Sequence, residues 1–167
     1  MTRIHERVET GLSIDEAFDY IADFDHADEW DPNTTDAKRL GNVQPGPGAR
    51  FALEVQIGGR TAPMVYRITE YDRPRRVVLI GEGSGVATVD DIRFERVGDR
   101  TVVDYVADIR LGGLLRLAQP FLGGAFRRIG REAAQGMNRE LDRRAAGRVN
   151  GQVARCASRS SAAGSAA

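Results

Sequence analysis

In the run Val86–Val97, Phe94 and Ile92 share one parity, and stepping back by twos along it reaches Asp90 and then Thr88. Successive strand side chains point to opposite faces, so the alternation places a carboxyl among apolar neighbours in mid-strand. A carboxyl withdrawn from water has its pKa raised and becomes competent as acid, base or ligand anchor. Two other readings of the same residues stay open. A bulge could exchange Asp90 for Asp91 on the inner face, or Asp90 could be held structurally by an arginine or a tyrosine hydroxyl. Tyr66 and Tyr105 fall on the apolar parities of their own segments. Each offers one hydroxyl, suited to orienting a ligand carbonyl or phenol, or to finding a backbone partner within a core.

The remaining reactive residue types form no constellation. Histidine is the side chain suited to a proton shuttle near neutrality, but His26 lies in an acidic segment with no Ser, Cys or Asp arrangement to join, and it reads as surface, as does His5 on a strand face. Asp104 and Asp108 take the parity opposite Val103, Tyr105 and Ala107 and point to solvent. Gly81-Glu-Gly-Ser-Gly85 lacks the third glycine of a dinucleotide fingerprint and the lysine of a P-loop, and it joins two strands, so it reads as a hairpin turn. One cysteine, Cys156, and two histidines cannot supply an internal disulfide or a Cys/His metal site of three or four ligands. No metal and no cofactor is expected.

The elements that must position these residues follow from periodicity. Arg3 to Glu9 alternates as a strand carrying Ile4 and Val8, and Gly11 ends it. Ser13 and Glu16 make a capping box, and Ile14, Ala17, Phe18, Ile21 and Ala22 form the apolar stripe of a helix behind it. A short acidic segment runs to Trp30-Asp31-Pro32, where the residue before proline is pushed out of the helical region. From Lys38 to Leu111 the period is two. Strands are expected where Phe51, Leu53, Val55 and Ile57 alternate, and over Ala62–Tyr71, Arg76–Gly81, Val86–Val97 and Thr101–Leu111, in an antiparallel meander. The period then returns to 3.6, with Leu114, Leu117, Ala118, Phe121, Leu122, Phe126, Ile129, Ala133, Met137 and Leu141 on one stripe of a long helix, roughly 40 Å at 1.5 Å per residue. Pro120 lies inside it and should kink it or divide it. The fold class is α+β: a curved antiparallel sheet wrapped around a long C-terminal helix, with two short helices after the first strand.

A length of 167 residues with 41% hydrophobic and 29% charged content suits one globular core. Equal numbers of basic and acidic residues, 24 of each, give no bulk attraction for nucleic acid. The N-terminus has no apolar h-region and no apolar run approaches the roughly 18 residues of a membrane span, so a cytoplasmic protein without integral membrane contact is expected. Charge is nonetheless polarised. Nine acids and no Lys or Arg occur from Asp15 to Asp36, and nine arginines against three acids occur from Arg127 onward. The two regions either support one another electrostatically or expose a basic surface for anionic lipid or an acidic partner. Residues 148–167 have few apolar side chains and no period and are expected to be a disordered tail, leaving residues 1–147 as one domain.

Four segments in this order carry a family resemblance: Val8 to Asp23 (VETGLSIDEAFDYIAD), Trp30-Asp31-Pro32, Ile68 to Arg76 (ITEYDRPRR) and Phe94 to Thr101 (FERVGDRT). Together they resemble the START-like helix-grip superfamily (SRPBCC), and within it the polyketide cyclase/dehydrase and lipid-transport branch, over residues 3–145. The resemblance implies a helix-grip fold with a cavity between the concave sheet and the long helix. Apolar concavities of this kind are default ligand sites. Parity then nominates its lining: Phe51, Leu53, Val55, Met64, Tyr66, Ile68, Asp90, Ile92, Phe94, Tyr105 and Ala107 from the strands, and Phe121, Leu122, Phe126 and Ile129 from the helix. The alternative is that these side chains fill the space at ordinary core density. Trp30, the single tryptophan, stands where the family has an aromatic after the second short helix, gating the pocket mouth or stapling that helix to the sheet.

Three functions are compatible with this. The first is binding or carriage of a hydrophobic small molecule such as a lipid, isoprenoid or polyketide-like ring system. The second is a cyclase, aromatase or dehydrase type of enzyme, with Asp90 as acid/base and Tyr66 or Tyr105 polarising a carbonyl. The third is a regulatory or toxin–antitoxin-type interaction protein using the basic helix and tail. A monomer or weak dimer is expected, and a protein partner stays open.

Overall fold

The computed structural model describes residues 1–57, 59–113 and 119–163, and side chains throughout these except 119–122 and 149–163. The alternating segments become β1 (Thr2–Thr10), β2 (Thr34–Leu40), β3 (Arg50–Ile57), β4 (Arg60–Asp72), β5 (Arg76–Gly83), β6 (Val86–Val97) and β7 (Arg100–Leu111). They form one antiparallel sheet in the order β1-β7-β6-β5-β4-β3-β2. The meander from β2 to β7 is completed by β1, which pairs with β7 from Thr2↔Ile109 to Thr10↔Thr101. Strand β2 has no counterpart in the periodicity. Its sequence, TTDAKRL, carries no large apolar alternation; only Thr34 is buried, and the register slips between Thr34 and Asp36.

Two local features set the geometry of the site. Ser84 and Gly85 both have positive φ, 51° and 72°, the two-residue turn whose twist matches the flanking strands. The expected five-residue turn is therefore only two residues long, and Gly81 and Gly83 belong to β5. Helix α1 (Ile14–Ile21) begins as its capping box dictates, with the Ser13 side chain accepting from the Glu16 N–H and the Ser13 N–H donating to the Glu16 carboxylate at 3.0 Å. A 3-10 turn (Phe24–His26) and the single-turn helix α2 (Ala27–Trp30) follow. The chain leaves α2 at Asp31 with φ −100° and ψ 108°, the extended conformation that Pro32 demands of its predecessor.

Helix α3 spans Gln119–Ala163. Pro120 is the second described residue of α3; residues 114–118 before it lie outside the described ones. Leu114, Leu117 and Ala118 lie outside the described residues. The domain boundary expected at 147/148 falls inside α3. The inward stripe of α3 is Phe126, Gly130, Ala133, Met137 and Leu141, all buried. Two glycines let it approach closely. A Cβ on Gly130 would lie 2.3 Å from Ile4 Cγ2, and one on Gly136 would lie 2.0 Å from the Trp30 carbonyl oxygen.

Two apolar clusters result. The larger joins Phe18 and Ile21 of α1 to Phe51, Ile68, Leu79, Ile92 and Phe94 of the sheet and Met137 and Leu141 of α3. The smaller holds Ile4, Ala107, Ile109, Leu111 and Phe126. On the surface, the acidic and basic regions meet. The Arg144 guanidinium lies 3.6 Å over the Tyr20 ring and 2.8 Å from both Glu29 and Glu140. Arg148 pairs with Glu16, and Arg73 of the β4–β5 turn reaches Asp15 and Asp19 at 3.1 and 2.6 Å. This geometry matches mutual support between the first and last helices, each exposed pair being worth about 1 kcal/mol or less. Among the described residues no helix is long and apolar enough to cross a membrane.

Candidate functional site

A cavity of about 90 Å³ lies where the two apolar clusters meet. Ten of the expected residues line it: Trp30, Leu53, Val55, Met64, Tyr66, Asp90, Tyr105, Ala107, Phe126 and Ile129. Phe51, Ile68, Ile92 and Phe94 do not. They face the same side of the sheet, but α1 and the 3-10 turn after it fill that end: the Phe18 ring stands edge-on to Phe94 at 5.1 Å, and Phe24 approaches Phe51 at 6.2 Å. Alternation assigns a face, and only the packing of α1 and the following 3-10 turn decides how far along each strand the space stays open. The side chains of Phe121 and Leu122 lie outside the described residues.

Asp90 points inward and is 2% exposed. The β6–β7 register runs without a slip from Val86↔Leu111 to Val97↔Arg100, so no bulge exchanges it for its neighbour. Asp91 faces outward instead, with the Arg76 Nε at 2.8 Å and Arg93 Nη2 at 2.9 Å. Among the described residues no arginine reaches Asp90. Its carboxylate accepts from the Thr88 hydroxyl at 2.6 Å, two residues back on the same face. Burial pushes its pKa up to about 6, and the hydroxyls of Thr88 and Tyr105 pull in the opposite direction. Burial, reinforced by the Asp90 charge, also raises Tyr66 and Tyr105 well above the usual tyrosine value. Both remain protonated hydroxyls near neutrality, able to donate.

Gly81 is what makes room for Tyr66. These two residues are register partners across β4 and β5, and Gly81 is in turn opposite Thr88 on β6. A Cβ on Gly81 would lie 2.5 Å from Tyr66 Cε1 and 2.8 Å from Thr88 Cγ2. The bare backbone therefore lets the phenol ring lie against β5 in the row that leads to Thr88.

Asp31 is the functional candidate that parity missed. It lines the cavity from the end of α2, and its carboxylate accepts from the Asn33 N–H at 2.9 Å and the Thr34 hydroxyl at 3.0 Å. Burial raises its pKa against those hydrogen bonds. The signal was present as Asp-Pro-Asn-Thr, a spacing in which an aspartate bonds to backbone and hydroxyl two and three residues on. Phe24 was also missed, because its acidic surroundings read as exposed; its ring lies 5.4 Å from Tyr66 and 5.9 Å from Trp30. Trp30 itself is 4% exposed, lines the cavity and leaves its indole N–H without a partner. Its ring walls the cavity, while its backbone carbonyl, which any residue there would present, lies against Gly136 of α3. His5 and His26 are surface residues paired with Asp104 and with Glu29 at 2.6 and 3.3 Å.

The lining therefore combines apolar and aromatic walls with two carboxyls and several hydroxyls, and among the described lining residues it has no Lys, Arg or His. Such a wall can enclose an apolar body and engage one polar group on it.

Comparison with known proteins bears on the fold and the family. A family model described as polyketide cyclase / dehydrase and lipid transport matches residues 1–142. A START superfamily protein from Mycobacterium smegmatis is 14% identical, with a TM-score of 0.72 over 84% of this chain and 97% of that one. The Zhui aromatase/cyclase from Streptomyces sp. R1128 is 17% identical, with a TM-score of 0.67 over 85% and 94%. A conserved protein from Geobacillus kaustophilus is 16% identical, with a TM-score of 0.63 over 83% and 94%. At these identities the structural likenesses establish the helix-grip fold. A search of curated protein sequences finds no match.

Proposed function

Because the chain belongs to the polyketide cyclase/dehydrase and lipid-transport family, we propose that it binds a mainly apolar small molecule of about one ring in size, held between the sheet and α3. The carrying observation is the cavity itself, whose apolar walls converge on the Asp90, Thr88 and Tyr105 group. Its volume of about 90 Å³ is small beside the roughly 300–1,000 Å³ of pockets for drug-sized ligands. A long lipid or a fused polyketide would need the α2 and α3 wall to move far outward, whereas a single ring, which a cavity of about 150 Å³ takes up, would need only a small displacement.

Trp30 supplies the assay, being the single tryptophan and part of the wall. Titration with toluene or phenol is expected to change its emission saturably in the wild type. The change should disappear in Ala107→Phe, whose ring would occupy the cavity. An unchanged response in that variant would overturn the assignment. Native mass spectrometry of protein purified from its own host under reducing conditions would then identify the passenger.

Catalysis is the second reading, favoured by one observation: a carboxyl raised to about 6 beside two protonated phenols has the properties of an acid/base with carbonyl-polarising donors. The same Zhui aromatase/cyclase likeness supports it at the level of fold alone. Loss of turnover in Asp90→Asn with retained binding would separate catalysis from carriage.

A further inference from the structure

The charge of the wall goes beyond its shape. Outside the cavity, acids meet cations: Asp91 has Arg76 and Arg93, Asp108 has Arg3 and Asp19 has Arg73. Asp90, far more buried than any of these, meets among the described residues the neutral hydroxyls of Thr88 and Tyr105 and no cation. Asp31 likewise accepts from Asn33 and Thr34. Buried charges in proteins are ordinarily paired, and among the described residues no cation accompanies the buried Asp90 or the half-buried Asp31.

We propose that the cavity selects an amine, a small aromatic or alicyclic ring bearing a primary or secondary ammonium group that sits against Asp90. This deepens the ligand-site reading above and rests on it. The surroundings favour a cation in a second way. Phe24, Trp30, Tyr66 and Tyr105 all line the same space, and aromatic faces attract ammonium groups most strongly where water is excluded. Anionic ligands, fatty acids and phosphates among them, would meet two carboxylates and no compensating base. The Trp30 indole N–H, buried and unpartnered, adds a requirement of opposite kind: an acceptor oxygen. An amine that also carries a hydroxyl, ether or carbonyl oxygen would satisfy both ends of the wall.

The opposite case is a protonated Asp90 donating to a neutral carbonyl, and pH distinguishes the two. The groups facing Asp90 are Thr88 of its own strand, Tyr66 of β4, Tyr105 of β7 and Asp31 after α2. Strands β1 and β3 offer Ile4, Leu53, Val55 and Ile57, β5 offers Gly81, and α3 offers Phe126, Ile129, Gly130 and Ala133, none of which titrates. Glu132 of α3 faces Asp31, adding to the rise of its pKa, and pairs with Arg128 at 3.4 Å. Asp90 is thus the group expected to titrate between pH 5 and 7, and amine binding should strengthen as it ionises.

The test uses three probes of one shape on the full chain: benzylamine, benzyl alcohol and benzoate, followed by calorimetry and Trp30 emission. At pH 7.5 benzylamine is expected to bind at least about tenfold tighter than benzyl alcohol, the worth of a hydrogen bond to a charged group, with benzoate weakest. Its advantage should shrink as pH falls from 7.5 to 5, and Asp90→Asn should reduce the ratio to about one. Asp90→Asn keeps a side-chain oxygen that can accept from Thr88, so the variant retains the local hydrogen bond; Asp31→Asn provides a second variant, expected to narrow the ratio in the same direction. Benzoate binding as tightly as benzylamine, or a ratio unmoved by Asp90→Asn, would overturn the proposal. Equal binding of benzylamine and benzyl alcohol would remove the charge selection and leave the ligand site standing, whereas no response to any probe would remove both.

Discussion

At the scale of single residues, Asp90 is where the proposed ligand contact is held at a cost in stability. Its pKa rises from 3.8 to about 6 on folding, so the folded protein holds this proton more tightly than the unfolded chain does. That contribution is fully present below about pH 4 and is lost as pH climbs through about 6. Two pKa units correspond to about 3 kcal/mol. Asp90→Asn should therefore stabilise the ligand-free protein by on the order of 2–3 kcal/mol at pH 7.5 and by almost nothing at pH 4. Urea denaturation of both proteins across that range checks it, and a difference independent of pH would remove the buried charge from the account. Parity along β6 was enough to find Asp90, because the strand pairs without a slip. Nothing in the spacing disclosed Gly81, whose significance exists only because the Tyr66 ring lies 2.5 Å from where a side chain would start.

At the scale of elements, the ends and the closest approaches carry the specificity. The Ser13 and Glu16 capping box satisfies backbone donors that α1 could not otherwise satisfy, and Ser13→Ala should cost about 1 kcal/mol, a fall of roughly 2–4 °C in melting temperature for a chain of this size. Calorimetry decides. The glycines of α3 make a sharper contrast. A Cβ at Gly136 would meet a backbone oxygen at 2.0 Å, while one at Gly147 would meet nothing within 4 Å. Gly136→Ala should destabilise by about 1–3 kcal/mol or more, as overpacking does, and push α2 away from α3. Gly147→Ala should stabilise by up to about 1 kcal/mol through helix propensity. Similar effects at the two positions would mean that α3 does not approach α2 this closely. Helical and strand periods located α1, α3 and six of the seven strands in the sequence. Strand β2 escaped because its partners, not its own composition, make it a strand.

At the scale of the whole molecule, a formally neutral chain is organised as opposed acidic and basic helices joined across the open side of the sheet. Arg144 connects three elements through Tyr20, Glu29 and Glu140, and Arg144→Ala should cost about 1 kcal/mol, with part of that loss also produced in wild type by high salt. Thermal unfolding at low and high ionic strength measures both effects. The family resemblance, the α+β class and the meander were legible in the sequence alone, because apolar periods, proline and capping signals act locally; parity nominated Asp90 for the inner face, and the unslipped β6–β7 register that keeps it there came from the structure. The extent of the cavity, the entry of Asp31 and the demotion of Phe51, Ile68, Ile92 and Phe94 to core were decided only by the tertiary structure. A strand's alternation states which face a side chain takes, but whether that face meets a helix or an open space depends on residues brought there from the other end of the chain. Here those are Phe18 and Phe24 on one side and Phe126, Gly130 and Ala133 on the other.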